Sequence, residues 1–449
     1  MRAGRRTKRS SAGFDSTSNV YRPAYRYYVL AVLTAVYTLN LVDRVLMILL
    51  LQPIKEDLHL SDTELGFLTG IAFGLFYAVV GLPIARRADR GNRVTISSVS
   101  IGLWGLTVMA CLFVTSYPQL VAARIAAAVG ESGCKPPTYS LVGDYFPNPI
   151  ERTRAMAVYW LGSPLASLLA FLLGGRLNAL YGWRMTFFVM GIPGLLLSLL
   201  VNRTVDEPRT HGQATRDFDP KSSHPLFLEV LGRLWQGRST RHLSIGLILL
   251  YTMSFGLAPW YAAFLVRSHG MGTAELGIWL GLLFGLGGIA GVLLGGYSAN
   301  RWFAKSEGRQ MRMTAVTLAA LVPCFIAFLL VPQKEGALAA LVPLVLTFNL
   351  FFAPTYALLQ RLVADDMRAT TLAVVMLLAN LIGMGVGPQV VGMLSDAFVP
   401  LAGKESLRYA MLIMSFVAVW AAYHFWQVGS TAEEDLAALV PAGIGRGGQ

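Results

Sequence analysis

Apolar runs of roughly 20 residues recur along the chain, each long enough for an α-helix to cross a hydrocarbon core of about 30 Å. Inside such a core every backbone N–H and C=O must be paired within the protein, so runs of this length specify membrane-spanning helices. Six are expected at 27–51, 64–86, 94–114, 118–143, 154–175 and 185–202, and six more at 242–267, 274–298, 312–331, 337–363, 368–394 and 407–428. The intervals carry Gly, Pro and charge, as loops do. Of 449 residues 55% are apolar and only 14% charged, which excludes an ordinary soluble enzyme. The expected class is an all-α membrane protein with 12 transmembrane helices in two pseudo-symmetric six-helix bundles.

Charge sets the expected orientation. With the N-terminus cytosolic, Lys and Arg number 27 on the cytosolic side against 7 outside, a strong positive-inside asymmetry. The net charge of +12 is scattered between apolar runs instead of forming one basic face, so no nucleic-acid partner is expected. Residues 1–26 read as a retained cytosolic tail, because the apolar run behind them is too long for a signal-peptide core. The division expected is an N-terminal bundle at 27–202, a cytosolic linker at 203–241, a C-terminal bundle at 242–428 and a cytosolic tail at 429–449. "ARRADRGNR" after helix 2 echoes "GGYSANRW" after helix 8, pairing Asp89 with Asn300, and "RTRAMAV" echoes "RATTLAV", pairing Arg152 with Arg368. The two offsets are similar and point to a duplicated six-helix unit. In the linker, Leu226, Phe227, Val230, Leu231, Leu234 and Trp235 share one helical face, predicting an interfacial amphipathic helix. "STAEEDLAALV" predicts a short C-terminal surface helix capped through Thr431 and Glu434. Cys111, Cys134 and Cys324 have no metal-like spacing and read as small packing residues.

Inside the spans, charge is costly and therefore informative. "NLVDR" places Asn40, Asp43 and Arg44 in helix 1, while Arg124, Glu131 and Lys135 in helix 4 share a stripe about 40° wide. Counted from the external end at 1.5 Å per residue, Asp43 lies roughly 12 Å deep, Arg124 roughly 9 Å and Glu131 roughly 20 Å. These depths allow Asp43 to meet Arg124, and Arg44 or Lys135 to meet Glu131. A carboxylate whose neighbour alternates between a cation and water can carry a proton, which makes Asp43 and Glu131 the proton-coupling candidates, with Glu131 preferred. Arg44, Arg124, Lys135 and Asn40 are candidates for the substrate head group or a charge relay. The alternative is a static ion-pair network that locks helix 1 to helix 4. No histidine falls mid-span. The second half holds only polar and aromatic candidates for a cavity wall, Tyr251, Trp260, Trp279, Asn349, Tyr356 and Asn380, each of which also suits packing or an interfacial belt. A cavity charged on one wall and apolar on the other suits an amphiphile with an anionic head.

"NLVDR", "HLSDTELGFLTGIAFGLFYAVVGLPIARRADRGNR", "RIAAAVGESGCKPPTYSLVGDYF", "ERTRAMAVYWLGSPLASLLAFLLGG" and "GVGPQVVGMLSD" resemble, in this order, the Spinster-like branch of the major facilitator superfamily. The resemblance covers about 27 to 428. It implies two bundles rocking about a central cavity to move lysophospholipids, sphingoid-base phosphates or related amphiphiles, often with protons. The family's helix 1 pair falls on Asp43 and Arg44, its helix 4 pair on Arg124 and Glu131, and its cytosolic loop motif on Asp89, Arg90 and Arg93. A conformational latch is expected from that loop together with Asp144, Arg152 and Arg154, since an acidic residue at a helix end can pair with a cation or helix terminus of the other bundle. Departures from the family pattern stand at Leu41, usually aromatic, Ala85, usually glycine, and Lys135, usually small.

The function expected is secondary active transport of an anionic or zwitterionic lipid by alternating access, coupled to protons. Its alternatives are a proton-coupled carrier of small organic anions, sugar acids or drugs, and a membrane-embedded lipid enzyme, for which no His-rich box, metal spacing or Ser-His set is found. No cofactor or metal is expected beyond the coupling proton. The partners expected are the substrate and membrane lipids, the protein being a monomer in the inner (cytoplasmic) membrane of a bacterium with both termini cytosolic.

Overall fold

The structure is a computed structural model that describes residues 21–208, 227–291, 306–348, 352–364 and 367–439, with the side chains of a few helical positions, 85, 89 and 90 among them, outside that description. Asn300, Asn349, Leu226 and both chain ends fall outside it as well. The described residues are helical throughout and contain no strand. In the first half they form α1 (Pro23–Leu58), α2 (Asp62–Thr69), α3 (Ile71–Arg90), α4 (Arg93–Ala110), α5 (Tyr117–Ser132), α6 (Lys135–Tyr145), α7 (Pro149–Trp160) and α8 (Gly162–Thr204). After α9 (Phe227–Gln236), the second half holds α10 (Arg238–Leu257), α11 (Trp260–His269), α12 (Thr273–Leu280), α13 (Glu307–Leu330), α14 (Lys334–Phe348), α15 (Phe352–Arg361), α16 (Arg368–Ala379), α17 (Gly387–Ala402), α18 (Ser406–Ser415) and α19 (Val417–Leu439). Several spans are broken helices; among the described residues seven helical runs are long and apolar enough to cross a membrane, or eight with the bent α10–α11 pair counted as one.

The breaks follow local chemistry. Helix 2 is split between α2 and α3 at Gly70, and Ser61 starts α2 with a capping box in which its side chain accepts from the Glu64 N–H while Glu64 accepts from the Ser61 N–H. Helix 4 is not continuous as the sequence suggested: it turns at Gly133 and Cys134 between α5 and α6. "KPP" explains this, since Pro136 and Pro137 have no N–H to extend the preceding helix and are tolerated only in a first turn. Helices 5 and 6 run together in α8, interrupted only by Gly182, whose φ of 77° suits glycine. α10 and α11 meet at a 45° bend. Two π-helical segments, Gly281–Leu286 and Asn380–Val386, widen helices 8 and 11.

Two peripheral elements differ from expectation. The linker helix α9 buries Val230 and Leu234 against the second half while Trp235, on the same apolar face, points outward. The C-terminal segment is no separate helix: α19 continues to Leu439, and Asp435 accepts from the Ser239 N–H at 2.9 Å, satisfying the start of α10. Thr431 pairs with Ser239 at 2.7 Å instead of capping a helix.

The halves join at the end that carries the α1–α2 turn, called the outer end after the charge asymmetry. In lipid the drive for helix association comes from close packing, so small residues sit where backbones meet. A Cβ on Gly70 would collide with the Gly385 carbonyl, and one on Gly175 would lie 3.0 Å from the Gly277 Cα. α2 thus packs on α17, α8 on α12, and α1 on α11.

A candidate substrate and proton site

Two ion pairs connect helix 1 to helix 4. Arg124 Nη1 donates to Asp43 Oδ2 at 2.5 Å, and Arg44 Nη2 lies 2.5 Å from Glu131 Oε1. Their surroundings differ in one decisive respect. The Asp43 and Arg124 side chains are sealed, at 2% and 5% exposure, whereas Glu131 is fully buried but its partner Arg44 keeps 20% exposure. The first pair is a closed structural element; in the second the Arg44 side chain keeps partial exposure, although its Nε and Nη2 atoms are buried.

An aromatic floor supports both guanidinium groups. The Phe73 ring centroid lies 4.5 Å from Arg44 Cζ and 4.9 Å from Arg124 Cζ, and Tyr77, one helical turn on, lies 4.9 Å from Arg44 Cζ. A guanidinium over a ring face is stabilised by the ring quadrupole and is also held in plane. Hydrogen-bonding capacity is left over: Glu131 Oε1 and Oε2, Arg44 Nε and Nη2, Arg124 Nε and both amide atoms of the fully buried Asn40 have no aligned partner. The Arg44–Glu131 contact is therefore a charge contact without hydrogen-bond alignment, a looser arrangement than Asp43–Arg124. Lys135, on the far side of the helix 4 break, stands 5.5 Å from the Tyr37 ring, itself stacked on Tyr159 at 4.7 Å.

The residues of the second half are less concentrated. Tyr251 and Tyr356 meet hydroxyl to hydroxyl at 2.5 Å, joining helices 7 and 10. Asn380 begins the π-helical segment of helix 11 and donates to the Met376 carbonyl at 2.8 Å. Trp260 does not line a cavity: it is completely buried at the bend of helix 7. Trp279 faces outward, half-exposed.

Of the expected latch residues, the side chains of Asp89 and Arg90 lie outside the description, and the others sit as follows. Arg93 binds Asp144 at 2.7 Å, Ser140 at 2.7 Å and Glu207, all within its own half, where it ties the start of α4 to the end of α6 and the segment after α8. Arg152 donates to the Phe146 carbonyl at 3.1 Å, and Arg154 is exposed. Among the described residues these contacts tie the first half to itself.

Among the described residues the polar links between halves lie at the outer end, on residues the sequence did not single out. Arg267 of α11 donates from Nη1 and Nη2 to the two carboxylate oxygens of Asp62, each at 2.7 Å. Asp62 also receives Lys55 Nζ at 2.5 Å and Ser395 Oγ at 2.6 Å, and Arg267 Nε reaches Gln52 Oε1 at 2.6 Å. In return, Asp396 of α17 accepts the backbone N–H groups of Asp62 and Thr63 at 3.0 and 2.7 Å, capping α2 from the opposite half. Asn178 donates to Thr273 Oγ1 at 3.0 Å nearby.

A polytopic protein with two six-helix halves, shut against each other at one end and carrying paired charges between helices 1 and 4, is a secondary carrier and not an enzyme. The Major Facilitator Superfamily model matches residues 33–388, and the chain belongs to that family. It is 32% identical to an MFS-type efflux pump of Mycolicibacterium smegmatis over 92% of this chain and 95% of the relative. Against the sphingosine-1-phosphate transporter SPNS2 of Danio rerio identity is 27%, covering 86% of this chain and 81% of the relative. Among solved structures, a bacterial homologue of the human lysosomal transporter Spinster, in an inward-facing and unoccupied conformation, superposes with a TM-score of 0.81 at 28% identity, covering 92% of this chain and 99% of that one. The Spinster-type proteins are among its relatives, at 27–28% identity.

Proposed function

We propose that this protein is a proton-coupled carrier of an anionic amphiphile, working by alternating access in a cytoplasmic membrane with both termini in the cytosol. The carrying observation is the Arg44–Glu131 pair, in which the arginine side chain keeps 20% exposure and the carboxylate none. An anionic head group entering the cavity competes with Glu131 for Arg44. The carboxylate left behind would be buried without a counter-charge, a situation that costs about 3–5 kcal/mol when one partner of a buried pair is removed. A proton on Glu131 removes that cost, so anion and proton bind together. Asp43 and Arg124, sealed beside them on the shared Phe73 ring, hold helix 1 in register with helix 4 while the exchange takes place.

The lipid reading is supported by the uncharged aromatic residues of the second half, by the likeness to the Spinster homologue and by the zebrafish relative's substrate. The paired contacts of Asp62, Arg267 and Asp396 support a state closed to the outside, from which the cavity would load or discharge on the cytosolic face. Proteoliposomes carrying wild type or Glu131→Gln, challenged with lysophospholipid, sphingosine 1-phosphate or a soluble organic anion, test the reading through a lumenal pH dye. Proton movement with a lipid in wild type, lost in Glu131→Gln, is expected. Equal proton signals from the two proteins refute the role of Glu131, and a response to the soluble anion alone refutes the lipid substrate.

A further inference from the structure

Resting on that reading, the cluster contains one cation more than it can neutralise. Arg44, Arg124 and Lys135 lie with Asp43 and Glu131, and among the described residues no carboxylate lies within salt-bridge distance of the Lys135 ammonium. Glu131 stands four residues before Lys135, the spacing at which a continuous helix brings such a pair together. Here the turn at Gly133 and Cys134 intervenes, and Glu131 engages Arg44 instead. Lys135 is left partly exposed against the Tyr37 ring, a contact that orients an ammonium without cancelling its charge. An uncompensated cation within a membrane span is costly unless an anion is supplied from elsewhere.

We infer that Lys135 is the residue that selects the charge of the substrate, pairing with Arg44 to hold a doubly negative head group such as a phosphomonoester. The charge count leads there directly. With Asp43 and Arg124 closed on each other and a proton on Glu131, Arg44 and Lys135 present two unmatched positive charges. A phosphomonoester carries close to two negative charges at neutral pH, whereas a phosphocholine head carries none net. Arg44 supplies a planar fork held flat by Phe73 and Tyr77, and Lys135 supplies a mobile point charge, a combination suited to one phosphate with several oxygens. Tyr37 is then the resting place of the ammonium before the head group arrives.

The test is ligand-induced thermal stabilisation of the purified full-length carrier with two matched pairs: lysophosphatidic acid against lysophosphatidylcholine of the same chain length, and a soluble dicarboxylate against its monocarboxylate analogue. Wild type is expected to favour the doubly charged member of a pair at least tenfold in apparent affinity. Lys135→Gln should abolish that preference while leaving the singly charged or zwitterionic member within about threefold, and Lys135→Arg should keep most of it. The ligand-free melting temperatures of the variants separate loss of binding from loss of fold. Preference confined to the soluble pair removes the lipid reading and leaves the charge selection standing. Absence of preference in both pairs, or an equal fall for both members in Lys135→Gln, overturns the inference.

Discussion

Asp62→Asn probes the contact that shuts the outer end. The carboxylate is 1% exposed and receives four donors, two from Arg267 and one each from Lys55 and Ser395. An asparagine of the same shape keeps one acceptor oxygen but removes the charge and turns the second position into a donor facing Arg267. Deleting one partner of a fully buried pair costs about 3–5 kcal/mol. Arg267 and Lys55 retain 11% and 26% exposure and are partly hydrated even when paired, so we take about 2 kcal/mol as the destabilisation of the closed outer end. In the outward-open state the same cations face water and lose little, so the whole difference appears as a shift of the conformational equilibrium of roughly 30-fold. Phe113 and Leu401 are strongly exposed outer-end positions in opposite halves and suit a spin-label pair in a cysteine-free background. Double electron–electron resonance should show a longer-distance population growing in Asp62→Asn, with its fraction set by that shift. An unchanged distance distribution would refute the reasoning and make the ion pair a bystander of glycine packing.

Other perturbations separate sealed from reachable groups. Asp43→Asn should lower stability by about 3–5 kcal/mol, since Arg124 then has no counter-charge and no water, and Asp43→Asn/Arg124→Gln should recover part of it; thermal melts of the two variants check this. Gly70→Ala should hold the outer end apart and slow transport more than tenfold, because the added Cβ meets the Gly385 carbonyl, whereas Gly143→Ala, with open space around its Cβ position, should be near neutral; initial uptake rates in proteoliposomes give the comparison.

Much of the central site was legible because charge in lipid is rare and depth is countable. Asp43 with Arg124 and Arg44 with Glu131 were among the pairings that depth and spacing allowed, and they are the pairs formed. Phe73 and Tyr77 were not legible: an i, i+4 aromatic pair in an apolar helix looks the same whether it faces lipid or a guanidinium. The outer-end contact was hidden for another reason. Asp62 and Arg267 are 205 residues apart, and each alone reads as an ordinary loop-end charge. The break in helix 4 was written in Pro136 and Pro137, yet the apolar run across it favoured a continuous helix, which would have aimed Lys135 at Glu131. Trp260 illustrates the converse, an aromatic whose sequence position suits a cavity wall and whose side chain is core.

Gly182 has a mechanical consequence. Because α8 runs from Gly162 to Thr204 with only that residue out of helical geometry, helices 5 and 6 are joined by a corner and not by a flexible loop. Movement imposed on Gly175 where it bears on Gly277 is passed around the corner to the far end of helix 6. There the chain leads within a few residues to Glu207, which grips Arg93 at the start of α4, the end opposite the closed one. Helices 5 and 6 thus form one covalent strut that runs from the contact of Gly175 with Gly277 to the grip of Glu207 on Arg93.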